Sequence, residues 1–168
     1  RRRGASHTVV VDIQPGRLQT ALEIGADAVI NSAEEDVAAR LVELHGDGAT
    51  ALDRGIRPGT DIYLDAAGVS IVPQTVTGMA KHGATLGIVA VHKKPVELDF
   101  GTILTSELNL VWSMGYPTEI FEVTDDIIEN WQKYALIISH TMPFEQTLEA
   151  LQLAKTPGAA DKIVVTFD

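Results

Sequence analysis

Residues 8–17 read TVVVDIQPGR. A short run rich in valine stops at Asp12, and a Pro-Gly pair and an arginine follow. β-Branched residues in an unbroken apolar run suit a strand buried on both faces of a parallel sheet. Pro15 and Gly16 end the strand and turn the chain. The stretch therefore predicts a strand carrying a carboxylate at its carboxyl end, followed by a helix.

Working outward, further strand-like runs occupy Ala28–Ile30, Asp61–Asp65, Thr85–Val91 and Leu108–Ser113. The intervals between them are long enough for helical crossovers. Leu18, Ala21 and Leu22 share a helical stripe that Gly25 ends. Val37, Leu41 and Leu44 form a second stripe, opened by Glu34-Glu35-Asp36, which reads as negative charge at a helix N-terminus and not as a metal site. A third helix is expected from Ile71 to Lys81, stopping at Gly83. Such alternation predicts an α/β fold with a doubly wound parallel sheet. Beyond Gly115, Ile120, Val123, Ile127, Trp131 and Tyr134 mark one long helix from Thr118 to Ala135. A break at Ile138–Pro143, a helix from Phe144 to Ala154 and a closing strand at Lys162–Phe167 complete the reading.

The composition narrows the function. The 168 residues carry a formal net charge of -10 and no cysteine. The acidic balance argues against nucleic-acid or anionic-membrane partners, which need clustered Lys and Arg. Only Arg1-Arg2-Arg3 is basic, and that run reads as a solvated end. Without cysteine there are no disulfides or thiolate zinc ligands, and a cytoplasmic setting is expected. No apolar run approaches the length that spans a bilayer, and no signal peptide is seen. The first residue is Arg, so a processed, cut or partial chain is expected.

A carboxylate at the end of a strand has a known use in dinucleotide-binding folds. It accepts hydrogen bonds from the adenosine ribose hydroxyls at the end of the second strand, and its charge repels a 2′-phosphate, favouring NAD over NADP. A strand-terminal Asp that merely opens a turn is the plainer alternative. The companion G-x-G-x-x-G loop belongs about 20 residues upstream, and too few residues precede Asp12 to hold it. The near-match Gly46-Asp47-Gly48-Ala49-Thr50-Ala51 follows a helix instead of a strand and reads as a helix-ending loop.

The run VVVDIQPGRLQTALEIGADAVIN, Val9 to Asn31, resembles the medium-chain dehydrogenase/reductase family, the zinc-type alcohol and polyol dehydrogenases. The matching positions are Asp12, Arg17, Leu18, Ala21, Gly25, Ala26 and Asn31. TDIYLDAAGVS (Thr60–Ser70), HGATLGIVAV (His82–Val91), ISHTMPFEQTLEALQLA and KIVVTF continue the likeness in order along nearly the whole chain. LVWSMGYPTEIFEVTDDII most resembles the butanediol and related secondary-alcohol dehydrogenases. The resemblance implies a partial Rossmann domain over 1–136 and a tail, 137–168, that returns to a catalytic domain. It implies that Asp12 holds the ribose diol of NAD, that Ile13 and Arg17 flank the adenine, and that Ala67 and Gly68 line the adenosine side. Val89, Ala90 and Val91 would pass under the nicotinamide, Ser113 and Met114 would meet its carboxamide, and Lys162 would reach the pyrophosphate. The bland readings stand beside these: a solvated Arg17, a simple turn at Gly68, core packing at Val89–Val91 and an exposed Lys162.

The family's first Rossmann strand, Gly-rich loop, catalytic zinc ligands and proton-relay residues would lie before Arg1, with Arg1–Ala5 as the tail of the first helix. The five histidines show no metal-ligand spacing: His7, His45, His82 and His140 sit at expected element ends, and His92 opens a polar loop. No G-x-S-x-G elbow occurs. With the central strand upstream, the Thr8 and Asp61 strands are expected to have unpaired facing edges, and their direct pairing would contradict that arrangement. The Leu108–Ser113 strand, apolar and free of lysine, is either an edge through which a homo-oligomer forms or one covered by the Thr118 helix. The expected function is the coenzyme-binding portion of a zinc- and NAD-dependent dehydrogenase for a secondary alcohol or diol, with no catalytic residues of its own and inactive alone. Its alternatives are a non-catalytic nucleotide-binding or dimerisation module, and an S-adenosylmethionine methyltransferase, against which the order of the closing elements speaks.

Overall fold

The computed structural model describes residues 3–49, 55–115 and 118–167. In chain order the elements are β1 (Val9–Asp12), α1 (Pro15–Ile24), β2 (Ala28–Asn31), α2 (Val37–His45), β3 (Ile62–Asp65), α3 (Ile71–Met79), β4 (Thr85–Ile88), α4 (Phe100–Ser106) and β5 (Asn109–Trp112). There follow α5 (Glu119–Glu129), α6 (Trp131–Tyr134), β6 (Ile138–Pro143), α7 (Thr147–Lys155) and β7 (Lys162–Thr166). All pairings between these strands are parallel: β1 with β2, β3 with β4, β4 with β5, and β6 with β7. The parallel α/β expectation holds. β1 lies at an end of the β1–β2 sheet and β3 at an end of the β3–β4–β5 sheet. The chain divides into two units, Arg1–Glu35 with Pro117–Asp168, and Asp36–Tyr116.

In the first unit, Pro15 stands in the first turn of α1, where a missing N–H costs nothing. Gly25 ends the helix at φ 111°, its N–H returning to the carbonyls of Ala21 and Leu22. Leu18 of α1, the wholly buried Ile30 of β2 and Ala150 of α7 are buried apolar residues of this unit. Asp27 fixes the entry to β1, its Oδ2 accepting from Thr8 N at 2.8 Å and Thr8 Oγ1 at 2.9 Å.

Four expectations fail in this unit. The long helix breaks at Asn130, at φ -123° and ψ 26°, into α5 and α6, with a 3₁₀ turn following at Ala135–Ile137. The cause is local: Asn130 Nδ2 bonds back to the Asp126 carbonyl at 3.1 Å, the side-chain competition that makes Asn a poor helix-interior residue. Ile138–Pro143, expected as a break, is instead strand β6, because β7 offers it a parallel partner. His140 therefore lies inside a strand and not at an element end. The expected Phe144 helix opens as a 3₁₀ turn at Phe144–Gln146 before α7 begins.

In the second unit, Asp36 caps α2 by accepting from Ala39 N at 2.9 Å. Gly46 ends α2 at φ 74°, as the helix-ending reading of that loop requires; Thr50 and Ala51 of the near-match lie outside the described residues, as do Arg1, Arg2, Tyr116 and Pro117. Helix α4 was not expected. Asp99 opens it, its carboxylate accepting from Gly101 N at 2.8 Å and Thr102 Oγ1 at 2.7 Å. Tyr63, Leu86, Val76, Met79, Ala80, Ala84 and Leu108 are buried. Ile62 and Leu64 on the opposite face of β3 are exposed. The expectation of strands buried on both faces is thus corrected: β3 alternates exposed and buried along its length, which is how a strand covered on one face behaves.

Candidate functional site

Two aspartates end strands, Asp12 on β1 and Asp65 on β3, and both use the same local device. Asp12 Oδ1 accepts from the backbone N–H of Ile13 at 2.7 Å and of Gln14 at 2.9 Å. Asp65 Oδ1 accepts from Ala67 N and Gly68 N, each at 3.0 Å. Short polar side chains favour such turns because they reach their own following amides. The second carboxylate oxygen separates the two residues.

Asp12 Oδ2 faces the Arg17 guanidinium at 3.9 Å, and the Asp12 side chain is 27% exposed. A carboxylate with one oxygen held and the other reachable can still accept from an incoming hydroxyl. Arg17, one turn into α1, donates from Nε to Asp161 Oδ1 at 2.9 Å. Asp161 immediately precedes Lys162, the first and exposed residue of β7. Asp12, Ile13 and Arg17 therefore converge, and Lys162 stands next to the residue that holds Arg17. The solvated-arginine alternative is only half met: the Arg17 side chain is 45% exposed yet bound.

Asp65 is fully buried, and its Oδ2 lies 2.7 Å from His92 Nε2. The Asp65 carbonyl accepts from Val89 N at 3.1 Å and Ala90 N at 3.0 Å. One residue thus ties together the turn after β3 and the loop after β4, and with them Ala67, Gly68, Val89, Ala90 and Val91. Gly68, at φ 69°, lies so near the second loop that a Cβ on it would sit 2.7 Å from the Val91 carbonyl oxygen. Strand β4 ends at Ile88. Val89 and Val91 are exposed loop residues, so the core-packing alternative does not describe them. Ser113 joins the same end of the sheet through its N–H to the Ile88 carbonyl, 3.1 Å, and Met114 beyond it is 95% exposed.

Asp65, His92 and Asp161 were not among the expected site residues. Asp65 was legible in principle, since Asp-Ala-Ala-Gly repeats the strand-end pattern that drew attention to Asp12. His92 and Asp161 carry no local signal; their partners lie 27 and 144 residues away in sequence.

Asp12 thus presents an accessible carboxylate oxygen, a hydrogen-bond acceptor, beside a cation. Among the described residues no three His, Asp or Glu side chains are grouped to hold an ion, and no helix is long and apolar enough to cross a membrane.

The chain is similar to known proteins. A family model described as zinc-binding dehydrogenase matches residues 1–130. Sorbitol dehydrogenase of Bombyx mori is 30% identical over 166 residues, covering 96% of this chain and 44% of that protein. The structure of 2R,3R-butanediol dehydrogenase from Bacillus subtilis matches with a TM-score of 0.79 at 20% identity, over 98% of this chain and 45% of that one. An Escherichia coli enzyme described as a short chain alcohol dehydrogenase, in complex with NADH, gives 0.76 at 24% identity over 97% and 45%. The chain thus spans less than half the length of these relatives, and the structural likenesses carry the fold.

Proposed function

The chain belongs to the zinc-binding dehydrogenase family, and from that premise we propose that it is the coenzyme-binding portion of an NAD-linked, zinc-dependent dehydrogenase acting on a secondary alcohol or diol. The observation that supports this reading is Asp12, with Oδ1 fixed by two backbone amides and Oδ2 reachable beside Arg17. The nicotinamide of the bound coenzyme supplies the hydride chemistry.

The chain's own part is binding and orientation. Asp12 Oδ2 accepts from the adenosine ribose, and the two amides on Oδ1 keep the carboxylate from turning away. Its charge disfavours a 2′-phosphate. Ile13 and Arg17 border the adenine. Asp65 and His92 hold the two loops that carry Ala67, Gly68, Val89, Ala90 and Val91, and these, with Ser113, Met114 and Lys162, are proposed as further coenzyme contacts. Among the described residues no His, Asp or Glu cluster is grouped to hold zinc, and the chain alone is proposed to bind without turning over alcohol. With this reading go a Rossmann portion over 1–136, a tail over 137–168, a homo-oligomer formed along Leu108–Ser113 and a cytoplasmic setting.

Titration of the full chain with NADH and with AMP, followed by calorimetry, tests the reading. Saturable binding of both is expected. Hydrogen bonds to a charged acceptor contribute roughly 1.5–3 kcal/mol, so Asp12→Asn should weaken both ligands on the order of tenfold or more. A wild-type chain that binds neither ligand, or an Asp12→Asn chain that binds both unchanged, overturns it.

A further inference from the structure

We infer that Asp161 is a positioning residue for coenzyme selectivity, acting through Arg17 on the 2′ position of the adenosine ribose; the inference rests on the coenzyme reading of Asp12. Arg17 stands between two carboxylates. Its Nε is 2.9 Å from Asp161 Oδ1, whereas its Nη1 is 3.9 Å from Asp12 Oδ2. The tighter partner is thus the residue far away in sequence, and Asp12 keeps an oxygen that is not closed by a forked ion pair. A forked pair would occupy the acceptor directions that a ribose diol needs.

Asp161 is itself anchored. Its N–H donates to Ser139 Oγ at 2.9 Å, and Ser139 Oγ also lies 3.2 Å from the Lys162 carbonyl. Three residues earlier, Gly158 at φ 75° lies beside the Gln14 side chain, where a Cβ would sit 2.7 Å from Gln14 Oε1. Residues 158 and 161 thus lie beside the side chains of Gln14 and Arg17, respectively. The stability of an ion pair this exposed is small; its effect is on where the guanidinium sits and on local charge. Two carboxylates against one guanidinium leave the cluster net negative, a poor host for a 2′-phosphate. With Asp161 neutral, Arg17 is released either to close on Asp12 or to meet a phosphate.

The test compares AMP with adenosine 2′,5′-bisphosphate as probes of the full chain, by calorimetry, for the wild type, Asp161→Asn and Asp161→Glu. Asp161→Asn should shift the affinity ratio toward the bisphosphate by roughly five- to tenfold at low salt, a change that shrinks at high salt, and Asp161→Glu should restore the wild-type preference. An unchanged ratio in Asp161→Asn, with AMP binding still dependent on Asp12, overturns the inference alone. Equal weakening of both probes with a lowered melting temperature assigns Asp161 a structural role and also overturns it. Failure of the wild type to bind AMP overturns the coenzyme reading, and this inference with it.

Discussion

His92 Nε2 lies 2.7 Å from Asp65 Oδ2, and Asp65 is wholly buried at the end of β3. The other carboxylate oxygen takes two backbone amides. The carboxylate is thus held on both oxygens, by the turn that follows it and by a histidine from the loop after β4.

Breaking that pair should be costly. Removing one partner of a buried hydrogen bond leaves the other unsatisfied at a cost of about 1–3 kcal/mol, so His92→Ala and Asp65→Ala should each lower the urea midpoint. The double variant should cost less than the sum, by on the order of 1–3 kcal/mol of coupling. Additive losses in the cycle would show that the pair does not act as a unit.

Two glycines should respond with opposite sign to alanine. Gly68 combines φ 69° with a Val91 carbonyl oxygen only 2.7 Å from where a Cβ would stand, and Gly68→Ala should destabilise by roughly 1–3 kcal/mol. Gly78 sits inside α3 with open space around it. There alanine removes only the entropic cost of glycine in a helix, and Gly78→Ala should stabilise by about 0.5–1 kcal/mol. Equilibrium denaturation of the two variants side by side decides both.

Burial raises the Tyr63 phenol above its usual 10.0, outweighing the opposing pull of the Thr60 hydroxyl and Arg57. The unfolded phenol therefore ionises first as pH rises. Stability from this residue is complete below pH 10 and is lost as pH climbs through the higher folded value. Denaturation midpoints between neutral pH and about pH 11 should fall at the alkaline end, and Tyr63→Phe should flatten that fall. An unaltered slope in Tyr63→Phe would assign the alkaline loss elsewhere.

The parts of this fold that show in the sequence are those set by neighbours along the chain. Val9–Val11 and the Pro15-Gly16 turn mark a strand followed by a helix, Gly25 marks the end of that helix, and Asp36 marks the start of α2, because each acts within a few residues. Asp12 shows for the same reason: its Oδ1 partners are the next two amides. What is hidden depends on residues far away. Ile138–Pro143 looks like a break until β7 pairs with it, and His92 looks like a loop residue until Asp65 receives it. Asn130 is the local exception, a helix breaker inside an apolar stripe whose period outweighed it. The alternation along β3 was masked because Ile62, Tyr63 and Leu64 are all apolar although only Tyr63 is covered.

The Arg17–Asp161 contact joins residues 144 positions apart. The unit holding it is assembled from two stretches, Arg1–Glu35 and Pro117–Asp168, with the uninterrupted Asp36–Tyr116 between them in sequence. On a ribosome, the uninterrupted unit has all its strands before residue 117 is added, whereas the Arg17–Asp161 contact must wait for residue 161 to be made. Contacts of such long sequence separation slow folding, and domains synthesised first fold first. The order of synthesis therefore makes the Arg17–Asp161 contact one of the last in these two units to form.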